Sequence, residues 1–223
     1  METTLATRNT HRIPVLAVAA LLALSGLPGA AKAVEFEDYD YSRWSQEVTE
    51  CDRQAAHGRD PGHVAEKAVT SSSMDKPAAI AACLEAVAAD PENPRLNYQL
   101  GRAYGYSGMG EEAMPYRLKA LEKDYPQSLF VIGYLYLLGR TIEQDSCRAM
   151  ELWLRGAHYR RLAALVALPR HYMNGDFDDC GSTISDADLR AYLEEADRLS
   201  DDYYVEMLVQ ELLEDLAEHE SSG

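Results

Sequence analysis

Basic residues are scarce in this chain. Its 223 residues set 21 Lys and Arg against 37 Asp and Glu, a net charge of −16. That shortage excludes a nucleic-acid binder, whose phosphate contacts require clustered cations. No segment alternates apolar and polar residues over a strand's length, so β-structure is not expected. There is no C-x-x-C pair, which excludes a zinc knuckle and a thioredoxin-type redox site. There is also no Gly-rich phosphate cradle, no G-x-S-x-G elbow and no H-E-x-x-H helix, and therefore no expected cofactor or metal. Phe is rare, with 3 copies, yet 14 Tyr and a 47% hydrophobic content are too apolar for a disordered acidic chain. One folded domain is the natural count.

The longest apolar run, Ile13 to Leu24, is short of the roughly 20 residues a membrane-crossing helix needs. It follows Arg8 and Arg12 and gives way to Ser25, Gly26, Pro28 and Gly29 before Ala31-Lys32-Ala33. That order of basic, apolar and small residues reads as a secretory signal peptide over residues 1–33. Its removal takes away Arg8, Arg12 and Lys32 but only one acid, Glu2, so the remainder is more acidic still. After cleavage no integral membrane protein is expected, and the periplasm is the expected compartment, with secretion as the other possibility. Export in turn makes the even set Cys51, Cys83, Cys147 and Cys180 a disulfide framework. Three pairings are possible; Cys51–Cys83 with Cys147–Cys180 is favoured because each joins neighbouring elements of a chain packed in sequence order.

From residue 43 onward the pattern is helical, with helices expected near 43–56, 76–89, 94–107, 111–124, 127–138, 146–159, 161–174, 185–199 and 202–219. Asp90-Pro91 ends one helix, Asp145 caps another, and Gly139 and Gly175 each follow a periodic stretch. Three segments superpose: LNYQLGRAYGYSG from Leu96, SLFVIGYLYLLGR from Ser128 and ALVALPRHYMNGD from Ala164. Leu100, Ile132 and Leu168 align, then Gly101, Gly133 and Pro169, then Tyr104, Tyr136 and Tyr172; Ala113 and Ala149 align in the following helices. Recurrence at this length indicates stacked helix pairs, in which small residues let one helix approach the next.

Residues 94–126 resemble a tetratricopeptide repeat through Leu100, Gly101, Tyr104, Ala113 and Ala120, with Arg117 where an aromatic is usual and Pro126 one place late. Residues 127–160 resemble a Sel-one-like repeat more closely. They carry the G-Y-x-Y-x-x-G run from Gly133 to Gly139, Asp145 at the loop end, and the series Ala149, Trp153, Ala157. Residues 161–175 begin another copy, with Pro169 in place of its Gly. The resemblance implies an exported bacterial member of the family, an all-α solenoid of antiparallel helix pairs over 76–175. Residues 43–75 would form an N-terminal helix and loop, and 176–223 an Asp-rich loop and capping helices. Such folds mostly mediate protein–protein contacts.

In that architecture the first helix of each pair lines a concave face. Arg95, Tyr98, Arg102 and Tyr106 would face it from the first copy, Phe130 and Tyr134 from the second, and Arg170 from the third. Arg grips a carboxylate through two parallel hydrogen bonds and Tyr offers a rigid apolar face, so the set suits an acidic or C-terminal peptide of a partner protein. A second reading is a structural subunit of an envelope assembly, associating through the apolar stripe Val205, Leu208, Val209, Leu212, Leu213 and Leu216. A third is a disulfide-rich hydrolase related to cysteine-rich Sel-one-like proteins. Cys51 with His57 and His63 is the strongest nucleophile–base cluster for it, but a bridged Cys51 in a loop is the better account. Asp176-Phe-Asp178-Asp179 begins like a calcium loop, but Cys180 and Ala187 stand where ligands should be. Trp44 and Trp153 read as core, and the acidic, aromatic residues 34–42 as a flexible arm.

Overall fold

The computed structural model describes residues 34–222; the signal-peptide expectation for 1–33 lies outside the described residues. Those described are all helical, without strands: α1 (Glu50–Ala55), α2 (Lys76–Ala89), α3 (Pro94–Tyr106), α4 (Gly110–Leu121), α5 (Pro126–Leu138), α6 (Ser146–His158), α7 (Leu162–Met173), α8 (Asp186–Leu199) and α9 (Tyr203–Ser222), with 3-10 turns at Tyr41–Arg43 and Asp178–Cys180. Local chemistry sets most boundaries. Asp75, Asn93, Asp145 and Ser185 each accept a first-turn backbone N–H, and Pro77, Pro94 and Pro126 occupy opening positions that have no N–H bond to lose. Gly139 closes α5 in the left-handed region at φ 62°.

Successive helices pack against each other in chain order, most tightly in the pairs α3–α4 and α5–α6. The aligned residues Leu100, Ile132 and Leu168 are all fully buried, as are Ala113 and Ala149. Close approach explains the aligned glycines. A methyl group on Gly101 would lie 2.7 Å from Arg117 Cγ and 3.2 Å from Ala113 O; on Gly133 it would lie 2.5 Å from Trp153 Nε1 and 3.2 Å from Ala149 O. Arg117 thus occupies, in the first pair, the place that Trp153 takes in the second. The disulfides are Cys51–Cys83 and Cys147–Cys180. The first lies in a cluster with Leu96 and Leu100, and the second closes on the larger core around Trp153, Leu165, Leu189 and Leu193.

Three expectations are corrected here. Residues 34–42 do not form a flexible arm but pack along the helices. Glu37 N donates to His158 O at 2.9 Å, Tyr39 O–H to Lys123 O at 2.8 Å, and Phe36 meets Tyr192 edge-on. The first helix does not run over 43–56, because Thr49 caps it through a reciprocal capping box with Asp52. That leaves 45–48 outside any helix, and the carbonyls of Ser45 and Glu47 accept from the Arg95 guanidinium. The C-terminal apolar stripe is used inside the chain: Val209, Leu212 and Leu216 are buried against α7 and α8. The rest of the stripe, Val205, Leu208 and Leu213, is partly buried against the same core. No helix among the described residues is long and apolar enough to cross a membrane.

Candidate functional site

The seven residues expected on a concave face separate into two groups. Arg95, Tyr98 and Arg102 are buried, because the chain between α1 and α2 and the stretch before α1 lie on α3. Arg95 pairs with the buried Asp52, which also accepts from Gln99 Nε2 at 2.9 Å. Arg102 donates to Ala55 O at 2.8 Å and to Val69 O at 2.6 Å. Its guanidinium lies over the half-exposed Tyr106. Tyr98 accepts from Gln127 Nε2 at 3.0 Å. Arg95, Tyr98 and Arg102 are therefore engaged inside the chain and not open to a partner, while Tyr106 stays exposed and apart from Phe130, Tyr134 and Arg170.

Phe130, Tyr134 and Arg170 come together elsewhere, in a cleft of about 610 Å³. One wall is α7, presenting Leu162, Val166 and Arg170 at i, i+4 and i+8. The facing walls are the loop Gly58–His63 and the α8–α9 corner, with Leu199, Val205 and Leu208. Such a volume and a mostly apolar lining with a few convergent polar groups are typical of ligand sites.

Sequence reasoning missed four residues here: Arg59, Asp60, Arg160 and Arg161. Arg59 pairs with Asp202 across the cleft mouth, and Arg160 with Asp38 and Glu195. Arg161 differs. It is 4% exposed, its Nε donates to Gln127 Oε1 at 2.6 Å, and its guanidinium stacks over Phe130 with 5.5 Å from Cζ to the ring centroid. Its two terminal nitrogens have no hydrogen-bond or ion-pair partner among the described residues. It is also the N-cap of α7, where its side chain offers no acceptor to the first-turn N–H groups. The adjacent dipeptide Arg160-Arg161 at a helix start, in so acidic a chain, was the available signal.

Asp60 closes the cleft floor. Its carboxylate is buried and accepts from Gly62 N at 3.0 Å and from the Tyr125 hydroxyl at 2.9 Å. Burial raises its pKa above the usual carboxylate range, and burial with the Asp60 charge raises that of Tyr125. Burial, then the charges of Arg102, Arg161 and Arg59, push His57 down to about 4. Neutral, its Nδ1 accepts the Arg59 backbone N–H. Burial also lowers the pKa of Arg161, though a guanidinium stays protonated in proteins. The cleft therefore keeps cationic charge from Arg161 and Arg170, of which the exposed Arg170 has no ion-pair partner among the described residues.

The other candidates have structural employment. Cys51 is bonded to Cys83, which leaves the Cys51–His57–His63 cluster without a thiol. Asp176 pairs with His171 at 2.6 Å, and no group of three metal-ligating side chains converges among the described residues. Trp153 is fully buried, while Trp44 is only partly buried and covers Tyr39. Compared with family models, with curated proteins and with solved structures, the chain has no match in any of the three.

Proposed function

We propose that this chain is a non-enzymatic, exported helical-repeat protein that holds a segment of a partner protein in the cleft along α7. In this reading the helix pairs stack as a short tetratricopeptide or Sel-one-like solenoid, and the partner lies on an inner helix face. Two disulfides are consistent with an oxidising compartment outside the cytoplasm. One observation carries the reading. Arg102 and Arg170 occupy the same place in the superposed segments, and Arg102 already grips main-chain carbonyls of residues laid across α3, whereas Arg170 faces an open cleft. In this reading the face of α3 is covered by the chain itself and the corresponding face of α7 is left for a partner.

A photoreactive amino acid in place of Tyr134 tests it in the native envelope. The expected result is a discrete cross-linked adduct that disappears when Val166→Trp fills the cleft. Absence of adducts, or adducts indifferent to Val166→Trp in a folded protein, would reject the reading.

A further inference from the structure

Resting on the cleft reading, the geometry points to the class of segment that fits: an extended peptide with acidic residues at positions i and i+4 and an apolar residue at i+2. We propose that one carboxylate seats on Arg161 and the N-terminus of α7 while the other reaches Arg170.

Two features converge on the first subsite. Leu162 and Ala163 line the cleft, and their N–H groups, which open α7, have no acceptor among the described residues, where Arg161 O takes the bonds of Ala164 and Leu165. An uncapped helix start attracts an anion. The Arg161 guanidinium adjoins it, buried, held through Nε and stacked on Phe130, with both terminal nitrogens unpartnered among the described residues. The buried Asp60 already acts on this guanidinium through its charge, with no hydrogen bond to the terminal nitrogens, and a guanidinium fixed in this way is organised for a further carboxylate.

The spacing follows from two rises. Leu162 to Arg170 spans two turns of α7, about 12 Å at about 1.5 Å per residue. Four residues of an extended chain cover about 13 Å, and residues i, i+2 and i+4 point to one face. The residue at i+2 then lies over Val166, between the cations, opposite Val205 and Leu208. Asp60 sits beneath the floor with its carboxylate covered by Tyr125, and Asp202 is paired with Arg59. Asp201 at the rim disfavours a third acidic residue in the segment.

The test uses the full mature protein and blocked nonapeptides, acetyl-Ser-Gly-Glu-Ser-Leu-Ser-Glu-Gly-Ser-amide against its isomer acetyl-Ser-Gly-Glu-Glu-Leu-Ser-Ser-Gly-Ser-amide, by calorimetry or fluorescence anisotropy. The spaced peptide is expected to bind at least about tenfold tighter than the isomer, and Arg161→Gln and Arg170→Gln each to remove that preference. Replacing both Glu by Gln in the peptide gives the same loss with no change to the protein, so a poorly folded variant does not obscure the result. Equal binding of the isomers, binding only of peptides with a free C-terminus, or no binding at millimolar concentration overturns the proposal. If Val166→Trp still removes the native adduct while the isomers bind equally, the cleft reading stands and the spacing rule alone falls.

Discussion

The faces of α3 and α7 that carry Arg102 and Arg170 begin from superposable sequence segments and end in opposite states. On α3, Arg95 and Arg102 lie under the chain's own residues 45–69 and are almost wholly buried. On α7, the equivalent of Arg102 is an exposed Arg170 beside a cleft. The difference teaches that an arginine's place in a superposable segment does not fix its role; what the rest of the chain lays over it does. A buried guanidinium bound to carbonyls and to Asp52 is a structural clamp, while a solvated one beside an apolar wall is available for recognition.

The sharpest way to break the comparison is Arg95→Ala. It leaves Asp52 buried without its cation and is expected to cost about 3–5 kcal/mol in urea unfolding, whereas Arg170→Ala should stay within about 0.5 kcal/mol. Equal costs would mean the two faces are not different in kind. Next in size is the staple behind α3. Replacing Cys51 and Cys83 by Ser opens a loop with a sequence separation of 32 and should lower stability by about 3–4 kcal/mol. Differential hydrogen exchange should show the loosening in α1 and α2 before α7. Arg102→Ala removes two charge-assisted bonds to carbonyls, an expected loss of about 2–3 kcal/mol. It should leave the Tyr134 adduct intact in molecules that remain folded, whereas Arg170→Ala should weaken that adduct without loosening the fold.

The smallest effect is a pH dependence at the loop joining the two faces. His57 has a folded pKa of about 4, below the roughly 6.5 of a free histidine. The unfolded chain therefore gains a proton between those values that the folded chain does not, and stability falls as pH drops through the window. Asp60 acts in the opposite sense, since its raised pKa makes the folded state lose stability as pH rises through it. Moving from pH 7 to 5 is expected to cost wild type about 1–2 kcal/mol more than His57→Asn, measured by thermal or urea unfolding. Identical slopes would show that His57 is solvated.

Much of the fold was legible because its signals are local. The caps Asp75, Asn93, Asp145 and Ser185, the opening prolines and Gly139 each act within a turn, so eight of the nine helices among the described residues start and end within a few residues of expectation. The short α1 was overextended, because its true start depends on the Thr49–Asp52 capping box and because Arg95, far along the chain, holds the preceding carbonyls. Site residues failed for the same reason in the other direction. Nothing near Arg95 or Arg102 in sequence announces that residues 45–69 will cover them, and nothing near Arg161 announces Gln127 and Phe130 as its supports. Phe130, Tyr134 and Arg170, which stand in two of the superposed segments, do line one cleft.

The two sulfur bridges have a mechanical consequence. Each closes a loop at one end of the sequence, Cys51 to Cys83 and Cys147 to Cys180, and residues 84–146 lie outside both. Drawn out from its extremities, the molecule could lengthen only through that untied middle, through α8 and α9 and through the residues before Cys51, because the stretch inside each bridge is shielded from the pull.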